Sequence, residues 1–142
     1  MAFANHIHFK NNKKGVTQFY TISTGFGAGL VINNKIFHGA NGFAQEIAHI
    51  PTSKTFHKKH HLNNYAAELF ASGTGMSLRA QDKNLEHIDA KNIIAKYEEH
   101  EDYKQIVDDC IDTIARTIAT TIGILNPNLM VFGGSVAEHN YW

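Results

Sequence analysis

Two periods of hydrophobic spacing organise this chain, one of two residues and one of three to four. Val16 to Ser23, VTQFYTIS, is dense in β-branched and aromatic residues and reads as a strand. Leu30-Val31-Ile32 is a second strand, and Asn33-Asn34 is a tight turn into Lys35-Ile36-Phe37. Gly25, Gly27 and Gly29 alternate between the first two strands, so the glycine loop is expected to connect an antiparallel pair. From Asp102 to Leu125 the period is helical. Tyr103, Ile106, Val107, Cys110, Ile111, Ile114, Ile118, Ile122 and Leu125 form one stripe. Asn126-Pro127 ends that helix, and Leu129-Met130-Val131-Phe132 is a continuous apolar run that suits a buried parallel strand. Gly133-Gly134-Ser135 follows, and Val136 begins another helix.

Shorter patterns fill the rest. Residues 2–9, AFANHIHF, make a weakly amphipathic helix with Phe3, Ile7 and Phe9 on its apolar side, and NNKKG after it is a polar loop with a glycine stop. Gly39 to Gly42 is a loop, and Ala44 to Ile50 is a helical turn that Pro51 ends. Asn63 or Asn64 is expected to cap a helix through Tyr65, Leu69 and Phe70. Ser72-Gly73-Thr74-Gly75 interrupts it, and Met76 to Gln81 continues it. Asp89 caps Ala90 to Glu99, with Ile93, Ile94 and Tyr97 on one face. The helix at residue 2 has no cap before it, and the helix after Val136 stops within a few residues at Trp142. Both read as elements that continue, so residues 1–142 are expected to be part of a larger domain.

Composition narrows the class. A chain of 142 residues suits one domain, and 43% hydrophobic residues supply a single core. Thirteen basic and thirteen acidic residues give zero formal charge, which argues against a nucleic-acid or anionic-membrane surface over the whole molecule. The one cysteine, Cys110, excludes an intrachain disulfide, suits a reducing compartment, and lies on the apolar stripe as a structural thiol rather than a nucleophile. No apolar run reaches the roughly 18 residues of a membrane span, and the N-terminus has no secretory signal. A cytoplasmic protein is expected.

The candidate chemistry sits in the glycines, one carboxylate–imidazole pair and a histidine cluster. Alternate glycines let backbone approach an anion closely. The loop lacks the Gly-Lys-Ser/Thr ending of a Walker loop and the following helix of a dinucleotide fingerprint, so a plain hairpin turn is an equal reading. Glu46 and His49 lie three residues apart and share a face in a helical turn. They suit a clamp on two hydroxyls of a polyol, a solvated Glu with a capping His, or two ligands of a metal whose others must be found. The strand–glycine–helix order at Gly133 and Gly134 is a common place for nucleotide contact. Among ten histidines only His57, His60 and His61, with His49 upstream, cluster. The segment KTFHKKHH reads first as a solvated basic loop.

Taken in order, these motifs resemble the ROK family of sugar kinases and repressors, over nearly the whole chain. Ser23-Thr24-Gly25-Phe26-Gly27-Ala28-Gly29 is similar to the family's Gly-Thr-Gly-x-Gly-x-Gly phosphate segment, with Ser23 in place of the first glycine. Gly39 to Ile50 resembles Gly-Ala-x-Gly-x-Ala-Gly-Glu-x-Gly-His, with Gln45 and Ala48 where glycines are usual. Glu68-Leu69-Phe70-Ala71-Ser72-Gly73 resembles Glu-x-x-Ala-Ser-Gly, and Asn126-Pro127 followed by Gly133-Gly134 resembles the segment lining adenosine. The resemblance implies an α/β fold, part of an actin-like ATPase (ribonuclease H-like) domain, with an antiparallel glycine hairpin, helices and a short buried strand. It implies ATP and Mg2+ as cofactors of the intact enzyme. Thr24, Gly25, Gly27, Gly29, Gly73, Gly133 and Gly134 would contact the nucleotide, and Glu46, His49, Glu68 and Asn41 would hold a hexose or hexose derivative.

Two departures from the family follow. The family's zinc motif, Cys-x-Cys-Gly-x-x-Gly-Cys, aligned on Glu68, falls on Lys59, His61 and Ala66, leaving only His49 and His61 as candidate ligands. No structural zinc is expected. The family's Asp-x-Gly-x-Thr motif and catalytic Asp have no counterpart here, and residues 1–81 contain no Asp at all. Both are expected in sequence upstream of Met1, so no residue of this chain is assigned a catalytic role. The resemblance therefore implies a partial C-terminal (large) domain of a hexose kinase, without its N-terminal domain and last C-terminal elements and inactive alone. The alternative is the sugar-sensing domain of a family repressor. A homo-oligomer is expected, without direct nucleic-acid or membrane contact. Glucose, fructose, N-acetylmannosamine and β-glucosides are all compatible with a Glu/His clamp.

Overall fold

The computed structural model describes residues 1–9, 15–53, 60–86 and 88–139. Most of the polar loop expected before Val16 and residues 54–59 of the basic segment, His57 and Lys59 included, lie outside the described residues. In chain order the elements are α1 (Ala2–His8), β1 (Val16–Ile22), β2 (Phe26–Ile32), β3 (Lys35–Ile36), a 3-10 turn (Ile47–His49), α2 (Ala67–Ala71), α3 (Gly73–Asp82), α4 (Ala90–Ala95), α5 (Glu101–Leu125), β4 (Leu129–Gly133) and α6 (Ser135–His139). The strands form one sheet in the order β3-β2-β1-β4. β1 pairs antiparallel with β2, from Val16 opposite Ile32 to Ile22 opposite Phe26, and parallel with β4, from Thr17 opposite Leu129 to Thr21 opposite Gly133.

β1 is central and covered on both faces, so even Thr17 and Gln18 are fully buried. On one face lies α1. Its His6 is completely buried, with Nδ1 2.7 Å from the Thr17 hydroxyl and Nε2 2.6 Å from Asn34 Oδ1. A histidine that has no partner in the sequence pattern thus pins α1 to the central strand and to the β2–β3 turn. That turn is Asn33-Asn34 with φ of 51° and 62°, the double left-handed geometry that matches strand twist. On the other face Tyr20, Ile22 and Phe26 pack with Ala67 and Ala71 of α2, Ile47 and Val136, while Ile114 and Ile118 of α5 lie against them. A second cluster joins Met76 and Ala80 of α3, Ile93 of α4, and Tyr103, Ile106, Val107 and Cys110 of α5. The 25 residues of α5 span about 37 Å and so reach both clusters. Burial pushes the Cys110 thiol up to about 12, which keeps it protonated.

Several elements differ from the expected ones. β2 begins at Phe26 rather than Leu30, because the ladder continues to Ile22 opposite Phe26 and holds Gly27 and Gly29 inside the strand. The hairpin connection is therefore only residues 23–25. The helix is interrupted as expected, but at Ser72 alone: this extended residue ends α2, and its Oγ accepts from the Gly75 amide at 3.0 Å to cap α3, whose first turn is the Gly73-Thr74-Gly75 run. Asn63 Oδ1 accepts from the amide of Tyr65 instead of capping α2, which starts behind Ala66. Met1 takes the N-cap position of α1 without a side-chain cap, and its carbonyl accepts instead from the Asn5 amide at 3.0 Å. α4 stops at Ala95. β4 is parallel as expected, but as the last strand of the sheet it leaves Phe132 46% exposed. The apolar stripe of α5 likewise opens towards its end, where Ile122 is exposed. No helix of the described residues is long and apolar enough to cross a membrane.

Candidate functional site

The site is built on the hairpin connection. Ser23, Thr24 and Gly25 turn sharply, with the Ser23 amide donating to the Gly25 carbonyl at 2.9 Å. The turn is fastened to α3 by its own carbonyls: Ser23 O accepts from Gly73 N at 2.8 Å and Thr24 O accepts from Thr74 N at 3.1 Å. It is fastened to the β4–α6 connection by the Ser23 and Ser135 hydroxyls, 3.0 Å apart. Gly134, between β4 and α6, has φ +100°, and a Cβ there would lie 2.5 Å from the Ile22 carbonyl oxygen. Only glycine lets the chain pass so close to the end of β1. Its amide donates to Glu138 Oε1 at 3.2 Å.

Three segments far apart in sequence thus meet around one groove of about 470 Å³, lined by Ser23, Thr24, Gly73, Thr74, Ser135 and Val136. Of the residues expected at the nucleotide, Thr24 and Gly73 line this groove. Gly25 and Gly134 shape its turns. Gly133 ends β4 against the ring of Phe19, and Gly27 and Gly29 stand in β2, where a Cβ at Gly29 would lie 2.8 Å from the Ala2 Cβ of α1. A hydroxyl-rich groove with glycine turns suits a polyphosphate ester, since hydroxyls donate to anionic oxygens and turns without side chains admit close approach.

The residues expected at the sugar are divided between two places. Glu68, on α2, sets its carboxylate against the turn, so that a Cβ at Gly25 would lie 2.9 Å from Glu68 Oε1. Glu46 precedes the 3-10 turn and His49 is its last residue, and both are exposed. Their segment is tied to the start of α2 by the Ala67 amide, which donates to the Ile50 carbonyl at 2.8 Å, and by a bridge between Pro51 and Ala66. Glu46 lines a second, mainly apolar groove of about 490 Å³ with Phe37, Phe43, Ile50, Thr117 and Ile124. Asn41 lies on the exposed loop before it. Met1, upstream of which the catalytic Asp is expected, is exposed and lines neither groove.

Thr74 and Ser135 escaped the sequence reading, although both stand inside glycine runs it had singled out. So did the support of the Glu46 segment. Gln45 has φ +73°, and its Oε1 accepts from the fully buried Gln18 Nε2 at 2.7 Å. The signal was the glycine usual at that position, since a left-handed residue favours glycine.

Zinc does not fit the residues present. Of the three positions that correspond to cysteines, Lys59 lies outside the described residues, Ala66 is buried and has no donor atom, and His61 lines the hydroxyl-rich groove. His60 is instead bonded to Asp82, Nε2 to Oδ2 at 2.9 Å. Among the described residues no three His, Cys, Asp or Glu side chains gather as a metal site. A Mg2+ ion held chiefly by phosphate oxygens and water needs no such cluster, and Glu68 is the carboxylate set against the turn.

A model of the ROK family matches residues 1–142. The chain is 28% identical over 134 residues to an N-acetyl-D-glucosamine kinase of Pasteurella multocida, covering 84% of this chain and 43% of that protein. It is 33% identical over 119 residues to an N-acetylmannosamine kinase of Salmonella typhi, covering 83% and 40%. The chain therefore spans less than half the length of these curated relatives. Among solved structures, a ROK hexokinase from Thermus thermophilus superposes with a TM-score of 0.83 at 19% identity, over 99% of this chain and 47% of that one. A ROK family transcriptional regulator, a homologue of the E. coli MLC protein, gives 0.73 at 20% identity over 95% and 37%. At these identities the two structures speak for the fold alone.

Proposed function

This chain belongs to the ROK family and has its actin-like ATPase fold, and we propose that it contributes the nucleotide groove and part of the sugar site to an ATP-dependent kinase acting on a hydroxyl of an N-acetylated hexosamine. The observation that carries this reading is the meeting of Ser23–Gly25, Gly73–Thr74 and Gly133–Ser135 at one groove. The choice of sugar rests on the two kinases the chain resembles in sequence.

In this reading the hydroxyls of Thr24 and Ser135 donate to phosphate oxygens, and the backbone at Gly25, Gly73 and Gly134 approaches the nucleotide. Gly133 supports the last of these turns, while Gly29 acts behind the first by keeping β2 thin under α1 and Gly27 lies against Thr21 of β1. Glu68 stands where sugar and phosphate meet, and Glu46, His49 and Asn41 take further sugar hydroxyls. Bound MgATP supplies the transferable phosphoryl group and the charge neutralisation such a transfer needs. The acceptor hydroxyl must also lose a proton to a base. Residues 1–81 contain no Asp, so this chain binds and orients without itself supplying the family's catalytic carboxylate. We propose that this carboxylate belongs to sequence upstream of Met1, and that the chain is part of the larger domain of a cytoplasmic, homo-oligomeric kinase with no direct nucleic-acid contact.

The test combines calorimetry with a coupled assay for ADP release. The 142-residue chain is expected to bind MgATP and N-acetylmannosamine or N-acetylglucosamine, and to show no turnover. Glu68→Gln should weaken sugar binding about tenfold, the worth of one charge-assisted hydrogen bond. Turnover by the chain alone would contradict the assignment of the base. The regulator among the structural neighbours supports a second reading, a sugar sensor. It predicts sugar binding without nucleotide binding.

A further inference from the structure

We infer that His61 is a phosphate-contacting residue of the nucleotide groove, held in place by the bond of its neighbour His60 to Asp82; this rests on the nucleotide reading above. The groove continues from Thr24 and Thr74 past Ser77 and Gln81 to His61. Its other lining side chains are hydroxyls, one amide and apolar groups. Among the described residues His61 is the only lining side chain able to carry a charge.

The N-terminus of α3, which lies in this groove, is not open as an anion receptor. A helix N-terminus attracts phosphate through its unbonded amides. In α3 the amides of its first three residues are taken: Gly73 by Ser23 O, Thr74 by Thr24 O and Gly75 by Ser72 Oγ, and Met76 then makes the first bond within the helix, to Ser72 O. The start of α3 therefore does not meet the charge of a polyphosphate, and the groove's hydroxyls supply hydrogen bonds without a countercharge. An imidazole supplies an N–H donor and, when protonated, the countercharge as well.

Placement is explained by the adjacent residue. His60 turns inward and bonds Asp82, the last residue of α3, with the two side chains 10% and 22% exposed. Asp82 follows Gln81, which itself lines the groove. The bond therefore ties the chain at residue 60 to the end of α3, and His61 is left exposed on the groove side. Consecutive histidines thus divide two tasks, one anchoring the segment and one facing the ligand.

The experiment is a calorimetric titration of ADP and of adenosine into the 142-residue chain, His61→Ala and His61→Lys. Loss of one charge-assisted contact should weaken ADP about tenfold in His61→Ala. Adenosine should bind that variant as it binds the unaltered chain, and His61→Lys should restore ADP. Equal weakening of ADP and adenosine would overturn the inference, because the residue would then be touching the base or merely shaping the segment. So would an unchanged ADP affinity in His61→Ala, or failure of the lysine to restore it. An unaltered chain that binds neither compound would defeat the nucleotide reading itself. ADP binding that ignores His61 would defeat only its assigned role.

Discussion

Gln45 shows how one residue can hold an uncomfortable backbone. A left-handed φ of +73° costs a residue with a Cβ about 1 kcal/mol relative to glycine. The offset is the 2.7 Å bond from buried Gln18, whose amide nitrogen would otherwise keep only a 3.3 Å contact to the Phe19 carbonyl. An orphaned buried donor costs about 1–3 kcal/mol, so the bond outweighs the strain. Gln45→Ala removes the bond and keeps the strain, and is expected to destabilise by about 1–3 kcal/mol in urea denaturation. Gln45→Gly removes both and should cost about 1 kcal/mol less than the alanine. Equal losses for the two variants would mean that the left-handed backbone stores no strain. Gln18 and Gln45 are 27 positions apart, and no periodicity or local motif links them. That is why the pair was invisible in the sequence while the glycine it replaces was not.

At the scale of elements, the junction of α2 and α3 is the tightest part of the site. A Cβ at Gly75 would lie 2.3 Å from the Leu69 carbonyl oxygen and 2.5 Å from that of Glu68, both backbone atoms that cannot swing away. Gly75→Ala must push the two helices apart, and with them Glu68 and the amides that hold the Ser23–Gly25 turn. We expect a loss of about 3 kcal/mol or more, at the upper end for overpacked sites. Gly123, inside α5 with nothing near its Cβ position, is the control: Gly123→Ala should stabilise by about 0.5–1 kcal/mol. Thermal unfolding of the two variants checks both signs, and a tolerated Gly75→Ala would show that the junction yields. α5 itself was legible, because a 25-residue amphipathic stripe has many positions to agree with one another. The break is real but confined to Ser72: Gly73-Thr74-Gly75, which propensity places in the break, form the first turn of α3. Here tertiary contact overrides propensity: the glycines are what allow the close crossing.

Across the whole molecule, the sheet brings residues more than a hundred positions apart to one place. The hairpin of β1 and β2 and the apolar run of β4 could be read from composition, but nothing local says that β4 lies beside β1. That pairing is what carries Gly133, Gly134 and Ser135 to the Ser23–Gly25 turn. The residues proposed for the nucleotide were suggested mainly by the family resemblance, which supplies the spatial relation that one sequence lacks. The residues proposed for the sugar were suggested as types, while the arrangement of their segment depends on Gln18, Ile50 and Ala67, which carry no chemistry of their own. The central claim is that three separated segments form one nucleotide site, and amide chemical shifts during titration with a non-hydrolysable ATP analogue test it most directly. Ser23–Gly25, Gly73–Thr74 and Gly133–Ser135 are expected to shift together and to saturate with a single affinity. Shifts confined to one of these segments, or centred on the apolar groove of Phe43 and Ile124, would contradict it.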